Sequence, residues 1–164
     1  MEWFALYVKS RHEFFTDLEL RRKGVETFLP TVKKWRQWKD RKKLIHFPLF
    51  PGYLFVYISP DPERFLDVLK TKGSVTLLSA ESGRPTPVLL EEINSLKLLI
   101  DSGTKVDIYP CLNEGTRVRV RRGLFQGAEG VLQEKGDHCL FLVNIKLLGR
   151  SVGVKIHADD IENI

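Results

Sequence analysis

The segment Pro48-Leu49-Phe50-Pro51-Gly52-Tyr53-Leu54-Phe55-Val56 joins two prolines, a glycine and three aromatic residues in nine positions. Pro48 and Pro51 fix φ and remove two backbone donors, and Gly52 permits conformations that are closed to other residues. The chain is therefore expected to turn before Tyr53, where an aromatic and β-branched run predicts a strand. Such a rigid aromatic turn can belong to a core or present a surface to a partner.

A second motif covers residues 115–131, which are predicted to form a strand, a glycine-rich reversal and a second strand. Valine and arginine alternate in its first part, as expected for a half-buried strand with one cationic face: Arg117, Val118, Arg119, Val120 and Arg121. Leu124 and Phe125 lie in the reversal. This apolar pair is either exposed for a partner or folded back over a small barrel.

Composition describes an ordinary chain of one or two small domains, with 164 residues, 43% hydrophobic and 29% charged. No apolar run approaches the ~18 residues that a membrane helix needs, and the amino terminus lacks the order of a signal peptide. We therefore expect a cytoplasmic protein without membrane contact. Cys111 and Cys139 are far apart and have no matching histidine cluster, which argues against a metal site or a disulfide framework.

The net charge of +5 is concentrated between positions 33 and 43, where a single acid, Asp40, stands against many cations and two tryptophans. These residues are Lys33, Lys34, Trp35, Arg36, Trp38, Lys39, Arg41, Lys42 and Lys43. Cations neutralise phosphates and indole faces stack on bases, so the pattern suits a nucleic-acid surface. The alternative is a solvated hairpin tip whose charges protect a sheet edge from aggregation.

The first hundred residues are predicted to alternate strands and helices. Residues 3–8 form an apolar run typical of a buried strand. A helix follows, with Ser10 and Glu13 at capping-box spacing and its end at Gly24. Its expected buried face consists of Phe14, Phe15 and Leu18. Further strands are expected at 25–29, at both arms of the basic hairpin, and at 53–58 and 75–78.

Two more helices complete this part of the prediction. One opens at Asp61-Pro62, a good N-cap followed by a good first helical residue. The other has apolar residues at helical spacing and ends near Gly103. The fold class is therefore α+β: a mixed α/β sandwich over residues 1–103, a linker over 104–113, and a small all-β barrel over 114–164.

The two motifs, in this order, resemble those of the NusG family of transcription factors. Together with the order of the predicted elements, the resemblance extends over almost the whole chain. Residues 48–56 resemble the family signature, and residues 115–131 resemble a KOW motif. The resemblance implies an NGN domain, followed by an SH3-like KOW barrel. It also implies a factor that docks on the clamp helices of RNA polymerase and suppresses pausing or termination without chemistry of its own. A monomer without cofactor is expected.

The resemblance also suggests residues for each contact. Phe50, Pro51 and Tyr53 match the aromatic site for RNA polymerase, with Trp3 beside them, although the same side chains could form the core of the domain. Phe125 matches the loop aromatic through which family barrels contact a ribosomal small-subunit protein or Rho, with Leu124 beside it.

The turn Lys9-Ser10-Arg11-His12-Glu13 is similar to the specialised, RfaH-like members that accompany surface-polysaccharide operons. In those members this region faces the non-template DNA strand. The resulting nucleic-acid candidates are Lys9, Arg11, Arg22 and Lys72, to which the basic hairpin adds Lys34, Trp35, Arg36 and Lys39. Plain solubility is the alternative role of each cation.

Two other classes of protein remain as alternatives. A KOW protein of the ribosome would bind RNA through the cationic face that begins at Arg117 and ends at Arg122. An enzyme would need a catalytic constellation, yet the four histidines are scattered and no glycine-rich phosphate loop is present. We therefore predict no catalytic residue.

Overall fold

The computed structural model describes residues 1–81, 83–111, 115–135 and 138–164. The contacts divide the chain into two units, Met1–Pro87 and Val88–Ile164. Asn113, at the end of the predicted linker, and Glu114, at the start of the predicted barrel, lie outside the described residues.

The elements of the first unit alternate much as the sequence predicts. They are β1 (Glu2–Val8), α1 (Glu13–Arg22), β2 (Glu26–Phe28), β3 (Thr31–Trp38), β4 (Arg41–Pro48), β5 (Tyr53–Ile58), α2 (Pro62–Leu69), β6 (Ser74–Leu77) and, at the division, β7 (Pro87–Val88). Four strands form a sheet in the order β2-β5-β1-β6, and β7 also pairs with β1. β3 and β4 form a separate two-stranded sheet.

The core of the first unit covers one face of the sheet. β1 and β5 are antiparallel, and their alternate residues Phe4, Leu6, Leu54 and Val56 pack with side chains of both helices. The expected N-cap of α2 is confirmed, because the Asp61 carboxylate accepts a hydrogen bond from the Arg64 N–H at 2.9 Å. The opposite face of β1 carries Tyr7, which lies opposite Tyr53.

The prediction for the buried face of α1 is wrong. Phe14, Phe15 and Leu18 are exposed, at 47%, 40% and 48% of their surface. The buried residues are Glu13, Thr16 and Leu20. The helix begins at Glu13, after His12, so that Ser10 and Glu13 form no capping box and the face toward the sheet is a different one.

The second unit contains α3 (Leu90–Asp101) and six strands: β8 (Asp107–Pro110), β9 (Thr116–Val120), β10 (Glu129–Lys135), β11 (His138–Ile145), β12 (Arg150–Ile156) and β13 (Ile161–Asn163). The sheet is antiparallel, in the order β13-β9-β10-β11-β12-β8. Among the described residues its end strands, β13 and β8, do not pair with each other. A closed SH3-like barrel therefore stays a prediction.

The contacts place α3 in the second unit, although the sequence predicted it within the domain 1–103. The Ser95 hydroxyl accepts a hydrogen bond from the Glu129 N–H at 2.9 Å, which ties the helix to β10. Within the predicted linker, the strand β8 pairs with β12. Helical periodicity shows which side of a helix is apolar but not which sheet covers it. The functional domain boundaries stay a prediction.

No helix in the described ranges is long and apolar enough to cross a membrane.

Candidate functional site

The turn before β5 is held in place by two hydrogen bonds of the Gly52 backbone. Gly52 has φ +88°, and a Cβ atom there would lie 3.1 Å from the Tyr7 ring. Its N–H donates to the Glu13 carboxylate at 2.9 Å, and its carbonyl accepts from the Val8 N–H at 2.8 Å. The turn is thus fastened to both β1 and α1, and its conformation favours glycine.

The structure separates the four residues predicted to bind polymerase into two pairs. Trp3 and Phe50 are buried, with 4% and 0% of their surface exposed. Pro51 is exposed and Tyr53 is half-buried. The burial of Trp3 and Phe50 favours the alternative of a packing role for them, whereas Pro51 and Tyr53 offer accessible surface.

The sequence did not single out Tyr7, which belongs to this accessible surface. Its ring lies 5.3 Å from the ring of Tyr53, and the side chain is 40% exposed. Tyr7 and Tyr53 both lie at odd-numbered positions of their strands, and paired odd-numbered residues of β1 and β5 share one face of the sheet. This alternation is the signal that could have pointed to Tyr7. Tyr7, Pro51 and Tyr53 are called the aromatic turn below.

Two neighbouring turns carry three of the predicted nucleic-acid cations. The Lys9 N–H donates to the Gly73 carbonyl at 2.8 Å, and the Thr16 hydroxyl donates to the Lys72 carbonyl at 3.0 Å. The first bond joins the turn before α1 to the turn before β6, and the second ties α1 itself to that turn. Arg11, in the first turn, has the left-handed φ of +63°, which is a strained conformation for a residue with a side chain.

An exposed aromatic lies beside these cations. The Lys72 ammonium is 5.5 Å from the centre of the Phe15 ring, and the His12 ring stands edge-on to the same ring at 6.2 Å. The sequence missed this arrangement because it assigned Phe15 to the core. We call Lys9, Arg11, Phe15 and Lys72 the α1 surface. Arg22 lies at the other end of α1, where it pairs with Glu19 at 2.8 Å.

The other predicted cations lie on the β3–β4 hairpin. Trp35 is 68% exposed and Trp38 is 52% exposed. Lys34, Arg36 and Lys39 are also exposed, and Lys39 lies in the tight turn with φ +24°. Within the described ranges, no lysine or arginine side chain of this hairpin makes a hydrogen bond or an ion pair.

The arginines of the second unit are, by contrast, all engaged. Arg117 pairs with Glu91 at 3.4 Å, and Arg119 pairs with Glu129 at 2.7 Å. A third pair joins Arg122 to Asp160 at 2.6 Å, and Arg121 donates to the Asp159 carbonyl at 2.9 Å. The hydrogen bond and charge of Glu129 raise the pKa of Arg119, as those of Asp160 raise the pKa of Arg122.

The predicted partner pair in the reversal after β9 is also divided. Leu124 is 72% exposed, whereas Phe125 is buried at 9%. The Ala128 N–H donates to the Phe125 carbonyl at 2.9 Å, which closes the turn. Leu124 therefore supplies the accessible surface of this turn.

A cleft of about 280 Å³ lies between α3 and the second sheet. Its lining includes Glu92, Asn144 and Lys146. Burial raises the pKa of Glu92, although the hydrogen bond and charge of Lys146 act in the opposite direction. No sequence pattern indicated this cleft, because its walls depend on the position of α3.

This fold is shared with a solved protein. The chain is similar to the structure described as "Domain interaction in Thermotoga maritima NusG", with a TM-score of 0.53 and 22% identity over 99% of this chain and 97% of that one. The chain therefore has a mixed α/β fold that resembles the structure of a NusG protein.

The sequence comparisons identify the family. The model described as "Transcription termination factor nusG" matches residues 1–97, which is more than half of the chain. The NusG protein of Borreliella burgdorferi is 23% identical over 99% of this chain and 98% of its own length. That of Lactococcus lactis is 29% identical over 83% of this chain and 74% of its own length. The chain belongs to the NusG family of transcription termination and antitermination factors.

Proposed function

We propose that this chain is a transcription elongation and antitermination factor that binds the clamp helices of RNA polymerase through its first unit. It acts in the cytoplasm, suppresses pausing or termination, and performs no chemistry of its own. The observation that carries this proposal is the aromatic turn, an accessible apolar surface on a backbone fastened at Gly52.

The side chains of this turn suit a protein partner. Tyrosine buries a large area with only two rotatable bonds, and aromatic residues are frequent among the hot spots of interfaces. Tyr7 and Tyr53 lie side by side, and Pro51 adds a fixed apolar surface. Phe50 is fully buried within the turn, whereas Trp3 lies farther along β1, where its ring contacts those of Phe28 and Tyr57.

The α1 surface is proposed to contact the exposed non-template DNA strand, as in the specialised, RfaH-like members of the family. Its cations can bind phosphates, and the exposed Phe15 ring can stack on an unpaired base. The contact of Phe15 with Lys72 places both types of group in one small area. Arg22 is a less suitable member because its charge is engaged by Glu19.

The second unit is proposed to be a KOW barrel that recruits a ribosomal small-subunit protein or Rho. Leu124 is its exposed contact, and Phe125 supports the turn from inside. The alternative function, ribosomal RNA binding through the arginines of this unit, is less favoured. Arg117, Arg119 and Arg122 already pair with carboxylates, and an RNA would have to displace these partners.

A pull-down with core RNA polymerase tests the main proposal. The full chain should be retained, and Tyr53→Ala should lower its affinity at least tenfold if Tyr53 is a hot spot of ~2 kcal/mol. Leu66→Ala is the matched control, because Leu66 is an exposed apolar residue on α2, which covers the other face of the sheet.

Two results would contradict the proposal. One is retention of both variants as strongly as the unmodified chain. The other is an unmodified chain that does not bind polymerase but does bind ribosomes or free RNA, together with an Arg117→Gln/Arg119→Gln variant that no longer binds either. The second result would establish the RNA-binding alternative.

A further inference from the structure

We propose that one face of the β3–β4 hairpin, the face with Trp35 and Leu44, docks on RNA polymerase itself, at an apolar patch with a carboxylate on either side. This inference rests on the proposed function, because polymerase is the partner named there. It adds a protein contact on the hairpin to the contact that the aromatic turn makes.

The register of the hairpin sorts its side chains into two faces, because alternate residues of a strand point to opposite sides. Trp35 lies directly opposite Leu44. We call their side the tryptophan–leucine face. The neighbouring pairs on this face are Lys33 with His46, toward the base of the hairpin, and Gln37 with Lys42, toward its tip. The opposite face carries Trp38 and most of the cations, which are Lys34, Arg36, Arg41 and Lys43.

Packing within the chain does not account for Trp35 and Leu44. Trp35 is 68% exposed, and Leu44 is 42% exposed. Three apolar residues on the opposite face, Val32, Ile45 and Phe47, are half-buried instead. The hairpin thus packs through the opposite face. An exposed tryptophan paired with an exposed leucine forms an apolar patch, and such patches indicate an interaction surface.

This patch suits a protein partner better than a nucleic acid. Bases stack on aromatic rings, whereas the Leu44 side chain has no ring to offer. Tryptophan is enriched among the hot spots of protein interfaces, where it fills an apolar pocket. The cations of the two strands are divided unequally, with four on the opposite face and two on the tryptophan–leucine face. A polyanion is therefore attracted more strongly to the opposite face.

The two lysines of the tryptophan–leucine face define the charge of the partner. Lys33 lies on one side of the apolar pair and Lys42 lies on the other. Within the described ranges, neither lysine makes an ion pair. Complementary charges at the rim of an interface steer association and fix its register. A second copy of the chain does not match, because this face carries no carboxylate.

The hairpin also connects this face to the aromatic turn. β4 ends at Pro48, and the aromatic turn follows it in sequence. The Leu49 N–H donates to the Pro30 carbonyl at 2.8 Å, which fastens the base of the hairpin. Leu44 precedes Pro48 by about 13 Å of extended strand. A protein interface of standard size, about 800 Å² on each partner, is broad enough to include both contacts.

The experiment compares two exposed tryptophans on opposite faces of the hairpin. Trp35→Ala changes the tryptophan–leucine face, and Trp38→Ala is the matched control, because Trp38 is 52% exposed on the other face. Leu44→Ala is a second variant of the tryptophan–leucine face. Biolayer interferometry measures the affinity of each full chain for core RNA polymerase that is free of nucleic acid. Circular dichroism and the melting temperature verify that the variants are folded.

Trp35→Ala is expected to lower the affinity about tenfold or more, and Leu44→Ala about threefold or more, as for a hot spot and its neighbour. Trp38→Ala should remain within about twofold of the unmodified chain. Lys33→Glu/Lys42→Glu should also weaken binding, and by less at high salt, since salt screens exposed charges.

Three results would overturn the proposal. The first is an equal effect of the two tryptophan substitutions, and the second is no effect of Trp35→Ala. The third is a Trp35→Ala variant that keeps its affinity for polymerase but loses affinity for single-stranded DNA or RNA, because a nucleic acid would then occupy this face.

Tyr53→Ala, measured in parallel, separates this inference from the proposed function. A chain that binds polymerase, is weakened by Tyr53→Ala and is unaffected by Trp35→Ala refutes the hairpin contact and leaves the elongation factor standing. If both contacts exist, the two effects should add in the double variant, because the sites are separate. An unmodified chain that does not bind polymerase refutes both proposals.

Discussion

Glu13 and Gly52 are joined by a buried hydrogen bond between a side chain and the backbone, across 39 positions of sequence and at 2.9 Å. The carboxylate is the acceptor, and the Gly52 N–H is the donor. Glu13 is 7% exposed, so this bond is sheltered from water. It connects the first residue of α1 to the turn that presents Tyr53. The position of the aromatic turn therefore depends on a carboxylate that is distant in sequence.

Removal of this acceptor should destabilise the first unit. Glu13→Ala leaves the Gly52 N–H without its partner, which should lower the free energy of unfolding by about 1–3 kcal/mol. Glu13→Gln retains an acceptor oxygen and should lose clearly less. Urea unfolding measures both values. Glu19→Ala is the control, since it removes only an exposed ion pair of α1 and should change stability by less than ~1 kcal/mol. Equal effects of Glu13→Ala and Glu19→Ala would show that the bond is unimportant.

Two glycines with similar backbone conformations but different surroundings allow a second prediction. Gly52→Ala combines a positive φ with a Cβ atom 3.1 Å from the Tyr7 ring, whereas at Gly24, with φ +81°, nothing lies within 4 Å. Gly24→Ala should cost about 1 kcal/mol in unfolding free energy for the backbone alone. Gly52→Ala should cost more and also weaken polymerase binding, because the tyrosine pair must move. The prediction fails if the two substitutions are equivalent in both measurements.

A pH dependence follows from Glu92. Burial raises its pKa in the folded protein, so the folded state binds a proton more tightly than the unfolded state. For a carboxyl whose pKa is raised, the free energy of unfolding falls as pH rises from the unfolded pKa through the folded one. Glu92→Gln should remove this contribution and make the second unit more stable at pH 7.

Urea unfolding of the unmodified chain and the variant, at several pH values between 4 and 7, measures this effect. Glu134→Gln is the control, because Glu134 is an exposed carboxylate on β10 of the same unit. A Glu92→Gln variant that is less stable than the unmodified chain at pH 7 would show that the bond from Lys146 outweighs burial.

The α1 surface gives a prediction for DNA with an unpaired strand. Phe15→Ala should weaken binding to a bubble-containing duplex about fivefold or more, since base stacking on an aromatic ring contributes about 1–3 kcal/mol. Phe14→Ala is the matched control, because Phe14 is the adjacent aromatic on α1 and is also exposed, at 47%. Electrophoretic mobility shifts compare the two variants. Identical behaviour would remove Phe15 from the proposed DNA contact.

Local sequence patterns were sufficient for much of the first unit. The apolar run of β1, the two arms of the hairpin, the strand after Gly52 and the Asp61 cap of α2 were all predictable, because each depends on neighbouring residues. Phe50 and Trp3 were harder to interpret, because an aromatic side chain suits a core and an interface equally well. Their burial became evident only in the structure.

The errors concern contacts between distant parts of the chain. Ser10 and Glu13 have the spacing of a capping box, yet Glu13 binds a turn far along the sequence instead. Phe15, which the sequence analysis assigned to the core, is exposed on α1 in the structure. Periodicity also did not predict the contact of α3 with β10, because that strand is formed by later residues. The bounds of the predicted domains stay a prediction.

The hydrogen bond between Ser95 and the Glu129 backbone has a practical consequence for dissecting the protein. A cut near residue 103, where the predicted domain ends, separates α3 from the strand that binds it. A cut after Pro87 keeps the helix with its sheet, although it lies within the two-residue strand β7. Limited digestion with a protease should therefore release a fragment that retains α3 together with the carboxy-terminal strands, and expression of the two halves separately should begin from that division.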